Sequence, residues 1–147
     1  MPAYFVAQPA ATSASLGTNN IAVLSKLLGN WIQVDPKYGQ LVNPLLTALM
    51  AHGNAQLNQV PSGQRSQYDP MTNTVNVSNW QAIPHELAHE EQMQEKGIPL
   101  SALKNIFDIL RFGEKGRYNA PGTLEYNADK VKSHQIIQQY GLNPNGL

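Results

Sequence analysis

The sequence of 147 residues contains no cysteine. It therefore has neither a disulfide framework nor a thiolate zinc site, and any transition metal must be held by His, Asp or Glu. Charged residues make up only 14% of the chain, and 10 Lys and Arg balance 10 Asp and Glu. Because no run of basic residues is present to neutralise phosphates, the composition argues against nucleic acid and against an anionic membrane as partners.

Long apolar runs are also missing from the sequence. No stretch approaches the ~18 consecutive apolar residues that favour a membrane-spanning helix. The N-terminal residues 1–17 carry no Lys or Arg and are interrupted by Gln8 and Pro9, unlike a secretory signal. We therefore expect a soluble protein that is either cytoplasmic or delivered by a route without a cleaved signal.

The length suits one domain with a sizeable core, predicted over residues 18–147 as a small, mostly helical α+β fold. Residues 1–17 show little periodicity, which predicts an extended or mobile N-terminal arm. A later helix begins with a Ser101 cap and ends at Gly113. Four of its apolar residues are expected to face the core: Leu103, Ile106, Phe107 and Leu110.

Residues 56–78 change to alternation and turn residues, which predicts a short antiparallel sheet. Its clearest strand is 74–78, where Val75 and Val77 share one face and the polar residues share the other. The strand ends seven residues before His85. The sheet is therefore predicted to precede a helix that carries the most distinctive motif of the chain.

That motif is His85-Glu-Leu-Ala-His89. Residues four apart on an α-helix lie on the same face, so both imidazoles can point at one ion. Glu86 lies about 100° around the helix from His85, where it can reach a water at the metal, as a general base must. No core stripe explains this helix, because its apolar residues up to Lys96 are scattered: Leu87, Ala88 and Met93. The pattern predicts a zinc site.

A catalytic zinc site normally has three protein ligands, so the two histidines need a third. The last helix, predicted from Thr123 to about Gln139, places Glu125 and Asp129 inside its broad apolar face. Burying an unpaired carboxylate is costly, and a metal beside the two-histidine motif is the best partner. We predict that Glu125 is the third ligand and that Asp129 orients a ligating imidazole. Asp129 as the ligand, or neutralisation of both by Lys or Arg, are the alternatives.

Four other residues that can bind metals are weaker candidates. His134 lies on the opposite side of the predicted last helix from the third ligand, in a solvated position. His52 falls in the last turn of an earlier helix, where a protonated imidazole complements the helix dipole. Glu90 and Glu91 are expected to be solvated on the outer face of the motif helix.

The motif followed by Glu-x-x-x-Asp on a later helix resembles the gluzincin group of zinc metallopeptidases. The match lies in five residues: His85, Glu86, His89, Glu125 and Asp129. The segment from His85 to Gln92 is also similar to short minimal gluzincin domains. The resemblance implies a small zincin-like domain in which the two histidines and Glu125 bind Zn2+, Glu86 is the general base, and strand 74–78 pairs with an extended substrate.

The implied activity is hydrolysis of peptide bonds in a peptide or protein substrate, with Zn2+ as cofactor. The developing oxyanion needs a further donor, and three residues near the start of the last helix are candidates: Arg117, Tyr118 and Tyr126. Two alternatives stay open, a zinc-binding structural or assembly protein with a peptidase-like fold and a zinc amidase acting on cell-wall peptides. Glu86 favours an enzyme, because a structural zinc site needs no such carboxylate.

Overall fold

The computed structural model of the protein describes residues 13–143, with side chains from residue 18 onward. The predicted fold class, a small and mostly helical α+β domain with a short sheet before the motif helix, is confirmed. In chain order the elements are α1 (Ser13–Val34), a 3-10 turn (Pro36–Leu41), α2 (Val42–Ala51), β1 (Gln56–Gln59), β2 (Gln67–Asp69), β3 (Thr74–Val77), a 3-10 turn (Trp80–Ala82), α3 (Ile83–Lys96), α4 (Ile98–Phe112), a 3-10 turn (Gly116–Tyr118), α5 (Leu124–Asn127), a π-helical turn (Ala128–Lys132) and α6 (Ser133–Tyr140). None of the helices described is both long and apolar enough to cross a membrane.

Helix α1 is longer than the sequence pattern indicated. It begins at Ser13, so residues 13–17 of the predicted arm are helical, while residues 1–12 lie outside the described part of the chain. It also continues through Gly29, a residue type that usually weakens the interior of a helix. The turn beyond Gly29 is held by Trp31, whose ring contacts those of Tyr38 and Trp80. These contacts outweigh the cost of one internal glycine, about 1 kcal/mol.

The three strands form a mixed sheet in the order β1-β3-β2. β3 is antiparallel to β2, as predicted, but it runs parallel to β1. The prediction of a wholly antiparallel sheet is therefore wrong for the β1–β3 pair. The reason is the connection: the chain leaves β1, forms β2 on the far side of the sheet, and only then returns as β3 between them.

The central position of β3 corrects the predicted substrate strand. Both edges of β3 are already hydrogen-bonded to neighbouring strands, so the stretch 74–78 cannot accept an added peptide strand. The outer edge of β1 is covered by Asn20, which accepts from the Leu57 N–H and donates to the Ala55 carbonyl. β2 is the edge strand whose outer side carries no further strand within residues 13–143.

The hydrophobic core lies between α1, α2, the sheet and α3. Burying one leucine side chain contributes about 1.5–3 kcal/mol, so this core holds α3 firmly against the sheet. Leu87 and Ala88 are fully buried on α3, which leaves the histidines of the same helix turned toward α5. Ile83 adds to the core from the start of α3, and the main contributors from other elements are Leu24, Leu28, Leu45, Leu49, Val75 and Val77.

Helix α4 contradicts its predicted orientation. The four residues expected to face the core are exposed, by 49% for Leu103, 53% for Ile106, 59% for Phe107 and 76% for Leu110. The buried side of α4 is polar instead, with Ser101 and Asp108 almost inaccessible. Asp108 is held inside because it accepts hydrogen bonds from the Leu124 N–H and from Lys104. The amphipathic pattern predicted the helix but not which of its sides packs against the rest of the protein.

Candidate metal centre

Helix α3 is started by local signals that place its two histidines one turn apart. The Asn79 side chain caps the 3-10 turn that leads into α3 by accepting from the Ala82 N–H, and Pro84 lies in the first turn of α3, where its missing N–H is not needed. His85 and His89 then share one face, with ring centroids 4.8 Å apart. The motif helix therefore presents both imidazoles in the same direction, as its spacing predicted.

Glu125 reaches the two imidazoles from the first turn of α5. Thr123 caps this helix by accepting from the Tyr126 N–H. The Glu125 Oε2 lies 3.1 Å from His85 Nε2 and 3.3 Å from His89 Nε2, and the two Nε2 atoms are 3.1 Å apart. The structure thus brings together the three residues predicted as ligands, and their donor atoms converge on one point.

The separations between these atoms fit a zinc ion. Zinc bonds of about 2.0–2.2 Å at tetrahedral angles separate neighbouring ligand atoms by about 3.3–3.6 Å. The observed separations of 3.1–3.3 Å are close to that spacing. Two imidazoles with one carboxylate are also a donor set used by catalytic zinc sites, whereas structural sites are usually built on cysteine. The residues present therefore fit the metal that the motif implies.

The charges within the cluster point to a cation as its natural occupant. Burial raises the pKa of Glu125, but hydrogen bonds from His85 and His89 outweigh burial and hold that pKa far below its ordinary value. Burial lowers the pKa of His89, yet Glu125 and Glu86 together raise it more. The carboxylate therefore favours positive charge on His89, and a metal ion placed between the three residues would supply that charge instead.

Glu86 lies beside this cluster but does not join it. Its side chain is buried, with 4% exposure, and it lines the same cavity as the two histidines. Burial raises its pKa, while the charges of His89 and His85 oppose that effect. A carboxylate with a raised pKa is a stronger base than an ordinary one, which suits a group that accepts a proton from water.

Gln92 is a site residue that the sequence reasoning missed. Its Nε2 donates to the Leu124 carbonyl and to Asn127 Oδ1, so its Oε1 must be the atom that lies 2.9 Å from His89 Nδ1. An oxygen there requires a proton on Nδ1, which leaves the Nε2 of the neutral ring free to bind a metal. The sequence signal for this contact was that Gln92 follows His89 by three residues on the same helix. That spacing does not show that α5 packs beside α3 and fixes the orientation of the amide.

Replacing Gln92 with Met should weaken zinc binding by about 10–100-fold, the usual effect of losing a group that orients a ligand. The methionine keeps the length of the side chain but cannot accept from His89 Nδ1. Zinc affinity is measured by competition with a chelator, on protein shown to be folded by circular dichroism. Gln138→Met, on the exposed side of α6, is the matched control. A folded Gln92→Met variant with unchanged zinc affinity would contradict the assignment.

Asp129 lies in the π-helical turn directly after α5. Its Oδ1 is 3.5 Å from His85 Nδ1, and its other oxygen is 3.1 Å from Lys130 Nζ. This is the place expected for a residue that orients His85, and it lies outside the converging group of three. Asp129 follows Glu125 by four residues, so both carboxylates face His85 from one side of the helix.

A cavity of about 420 Å³ opens beside the cluster. Of the three predicted oxyanion donors, Tyr118 lines this cavity and its hydroxyl accepts from Arg65 Nη2. Arg117 also lines it but is only 3% exposed, and its guanidinium already donates hydrogen bonds to Asn105 and to the Glu114 carbonyl. Tyr126 lines a separate cavity, since the residue after Glu125 points about 100° away around the helix. Tyr118 is therefore the best placed of the three.

The weaker candidates all lie outside the cluster. His134 is exposed, as predicted. His52 is buried, and its Nδ1 lies 2.8 Å from the Ala48 carbonyl oxygen of the helix that it caps. The prediction for Glu90 is wrong: this residue is 3% exposed rather than solvated. It is buried because its side of α3 packs against the turn after α2, where its Oε2 lies close to Gly53.

A comparison of this chain with protein-family models, with curated proteins and with solved structures finds no match in any of the three. The resemblance to gluzincin peptidases therefore rests on the five motif residues. Three features of the molecule bear on its function: the cluster formed by His85, His89 and Glu125, the buried carboxylate of Glu86 beside it, and the cavity that both line.

Proposed function

We propose that the protein is a zinc-dependent metallopeptidase. The observation that carries this proposal is the convergence of His85 Nε2, His89 Nε2 and Glu125 Oε2 within 3.3 Å of one another, next to the buried Glu86. A structural zinc site would need a fourth protein ligand beside these three and has no use for a buried carboxylate that faces the cavity. Hydrolysis needs both, together with space for a substrate.

Zinc held by His85, His89 and Glu125 would supply a Lewis acid to polarise the scissile carbonyl and acidify a water. Glu86 accepts a proton from the water whose oxygen attacks the carbonyl carbon, and it then delivers a proton to the leaving amine as the C–N bond breaks. One water is consumed, and the products are a carboxylate and an amine. The burial of Glu86 supports this role, because a raised pKa makes the carboxylate a stronger base toward the attacking water.

The substrate in this proposal is an extended peptide that adds to β2 rather than to the predicted strand 74–78. Gln67 and Tyr68 of β2 line the cavity that holds His85 and Glu86. A peptide running along the outer edge of this strand would exchange backbone hydrogen bonds with it. Such pairing recognises any extended backbone, so it supports a peptide substrate without defining its side chains.

Tyr118 is the proposed oxyanion donor. Its hydroxyl accepts from Arg65, so its own proton is free to be donated into the cavity. Burial raises the pKa of this tyrosine above its ordinary value, which keeps the proton in place at neutral pH. A neutral hydroxyl that faces the cluster can stabilise charge developing on the carbonyl oxygen.

We expect the purified protein to bind about one zinc per chain, because the three donor atoms complete the protein share of one tetrahedral site. Elemental analysis gives the stoichiometry, and thermal unfolding gives an independent reading. At a free zinc concentration of 100 times Kd, the free energy of unfolding should rise by about 2.7 kcal/mol. Cleavage of a peptide library should stop after chelation and return when zinc is restored.

Two outcomes would count against different parts of this proposal. A protein that stays empty after incubation with excess zinc would contradict the metal site. A protein that is loaded with zinc and folded but cleaves no peptide would support instead a zinc-binding structural or assembly role, with the metal site intact.

A further inference from the structure

The outer face of α4 is an apolar surface that the rest of the described chain leaves uncovered. We define it by four residues with exposed fractions of 62% for Leu100, 49% for Leu103, 59% for Phe107 and 76% for Leu110. Ile106, at 53%, extends it on one side. The opposite side of the same helix faces the protein through Ser101 and Asp108. Large apolar side chains have thus been placed outward on a helix whose polar side is buried, which marks an interaction surface.

The spacing of the four residues on the α4 outer face specifies the shape of what it binds. They follow one another at intervals of three, four and three residues, which is the a-d-a-d spacing of a coiled-coil seam. Side chains at these positions insert as knobs into the holes of a facing helix. Helix α4 has 15 residues. It is therefore about 22 Å long, enough for two heptads of contact.

The charges along this seam specify the chemistry of the partner. Lys104 and Arg111 occupy the two e positions on one flank, and Pro99 and Ile106 occupy the other flank. Lys104 bonds Asp108, whereas Arg111 has no carboxylate partner among the described residues. In an antiparallel pair with a second copy of this chain, Arg111 would face only Lys104 or Arg111 of that copy. It supplies no acid on this face, so self-association leaves the cation unpaired.

We propose that the α4 outer face binds an amphipathic helix of another protein, whose apolar seam is flanked by glutamate or aspartate. Flanking charges of opposite sign select the partner and orientation of a helix pair. An anionic bilayer fits less well, because the cations lie along one flank only and the chain has a net charge of zero. An acidic residue on the flank of the partner helix would pair with Arg111, the cation of this flank that has no carboxylate partner among the described residues.

The test uses the full chain and a fluorescent synthetic peptide of three heptads, with Leu at a and d and Glu at e and g. Mutual repulsion of the glutamates keeps the peptide monomeric at low concentration. A matched peptide carries Lys at e and g. Fluorescence anisotropy should show saturable binding of the acidic peptide, at least about tenfold tighter than binding of the basic one. Absence of binding, or equal binding of the two peptides, would overturn the proposal.

Surface variants then locate the binding site. Phe107→Ser and Arg111→Glu should each weaken binding of the acidic peptide by about tenfold, since one removes a knob and the other a charge. Val34→Ser removes an apolar side chain that is 86% exposed on α1 and should have no effect. Equal effects of all three variants would overturn the assignment. So would a dimer of the unliganded chain that Phe107→Ser dissociates, or binding to vesicles of phosphatidylcholine and phosphatidylglycerol without peptide binding.

Discussion

Replacing Glu86 with Gln is expected to lower peptide hydrolysis by ~10²-fold or more while leaving the zinc content unchanged. The amide has nearly the shape of the carboxylate, so the packing of this buried side chain is preserved. It cannot accept the proton of water, because its nitrogen is a donor and its oxygen is a far weaker base. Glu86 is absent from the group of converging donor atoms, so its loss should not release the metal.

The comparison requires wild type and Glu86→Gln that are both folded and loaded with zinc, assayed on the same peptide library. Glu95→Gln is the matched control, since Glu95 lies on the same helix but is exposed and pairs with Lys132. This control should retain full activity. Equal cleavage by wild type and Glu86→Gln would show that another group or a contaminant performs the hydrolysis.

Removal of Glu125 should weaken zinc binding by more than about 100-fold, beyond the effect of losing an orienting group. Glu125→Ala deletes one of the three donor atoms and the only anionic one in the cluster. It also leaves the buried Arg117, which lies 3.8 Å from Glu125 Oε1, without its carboxylate neighbour. Glu125→Gln is therefore made alongside, because it keeps the volume while removing the charge.

His134→Ala is the control for Glu125, since His134 is the exposed histidine on α6 and offers the same ligand chemistry in the wrong place. Competition with a chelator ranks the three variants against wild type. We expect His134→Ala to bind zinc as wild type does. If instead His134→Ala loses the metal and both Glu125 variants keep it, the third ligand is assigned wrongly and the resemblance to gluzincins fails with it.

Local patterns were most informative where the geometry of one helix decides the outcome. The interval of four residues between His85 and His89 is sufficient to place two imidazoles on one face of α3. The same reasoning applied to Glu125, because a carboxylate inside an apolar helix face has to meet a partner in the folded protein. These inferences required only that α3 and α5 lie close together in the folded protein.

Patterns failed where two different packings satisfy the same periodicity. The apolar residues of α4 recur at the correct interval for a buried face, yet Leu103 and Phe107 are exposed and Asp108 is inside. Periodicity defines a face but not its neighbour. The decisive contact is the hydrogen bond from the Leu124 N–H to Asp108, which joins residues 16 positions apart and has no signature in a local window.

The sequence by itself determined that a His-Glu-x-x-His helix exists, that Glu125 and Asp129 follow on a later helix, and that no thiolate competes for a metal. Only the tertiary structure decided that Gln92 contacts His89, that β2 rather than β3 lies at the edge of the described sheet, and that the apolar side of α4 faces outward. The first group depends on the spacing of residues within one chain segment. Helix geometry alone then decides the direction in which each side chain points. The second group depends on which segments become neighbours, and that is decided by the packing of the whole core.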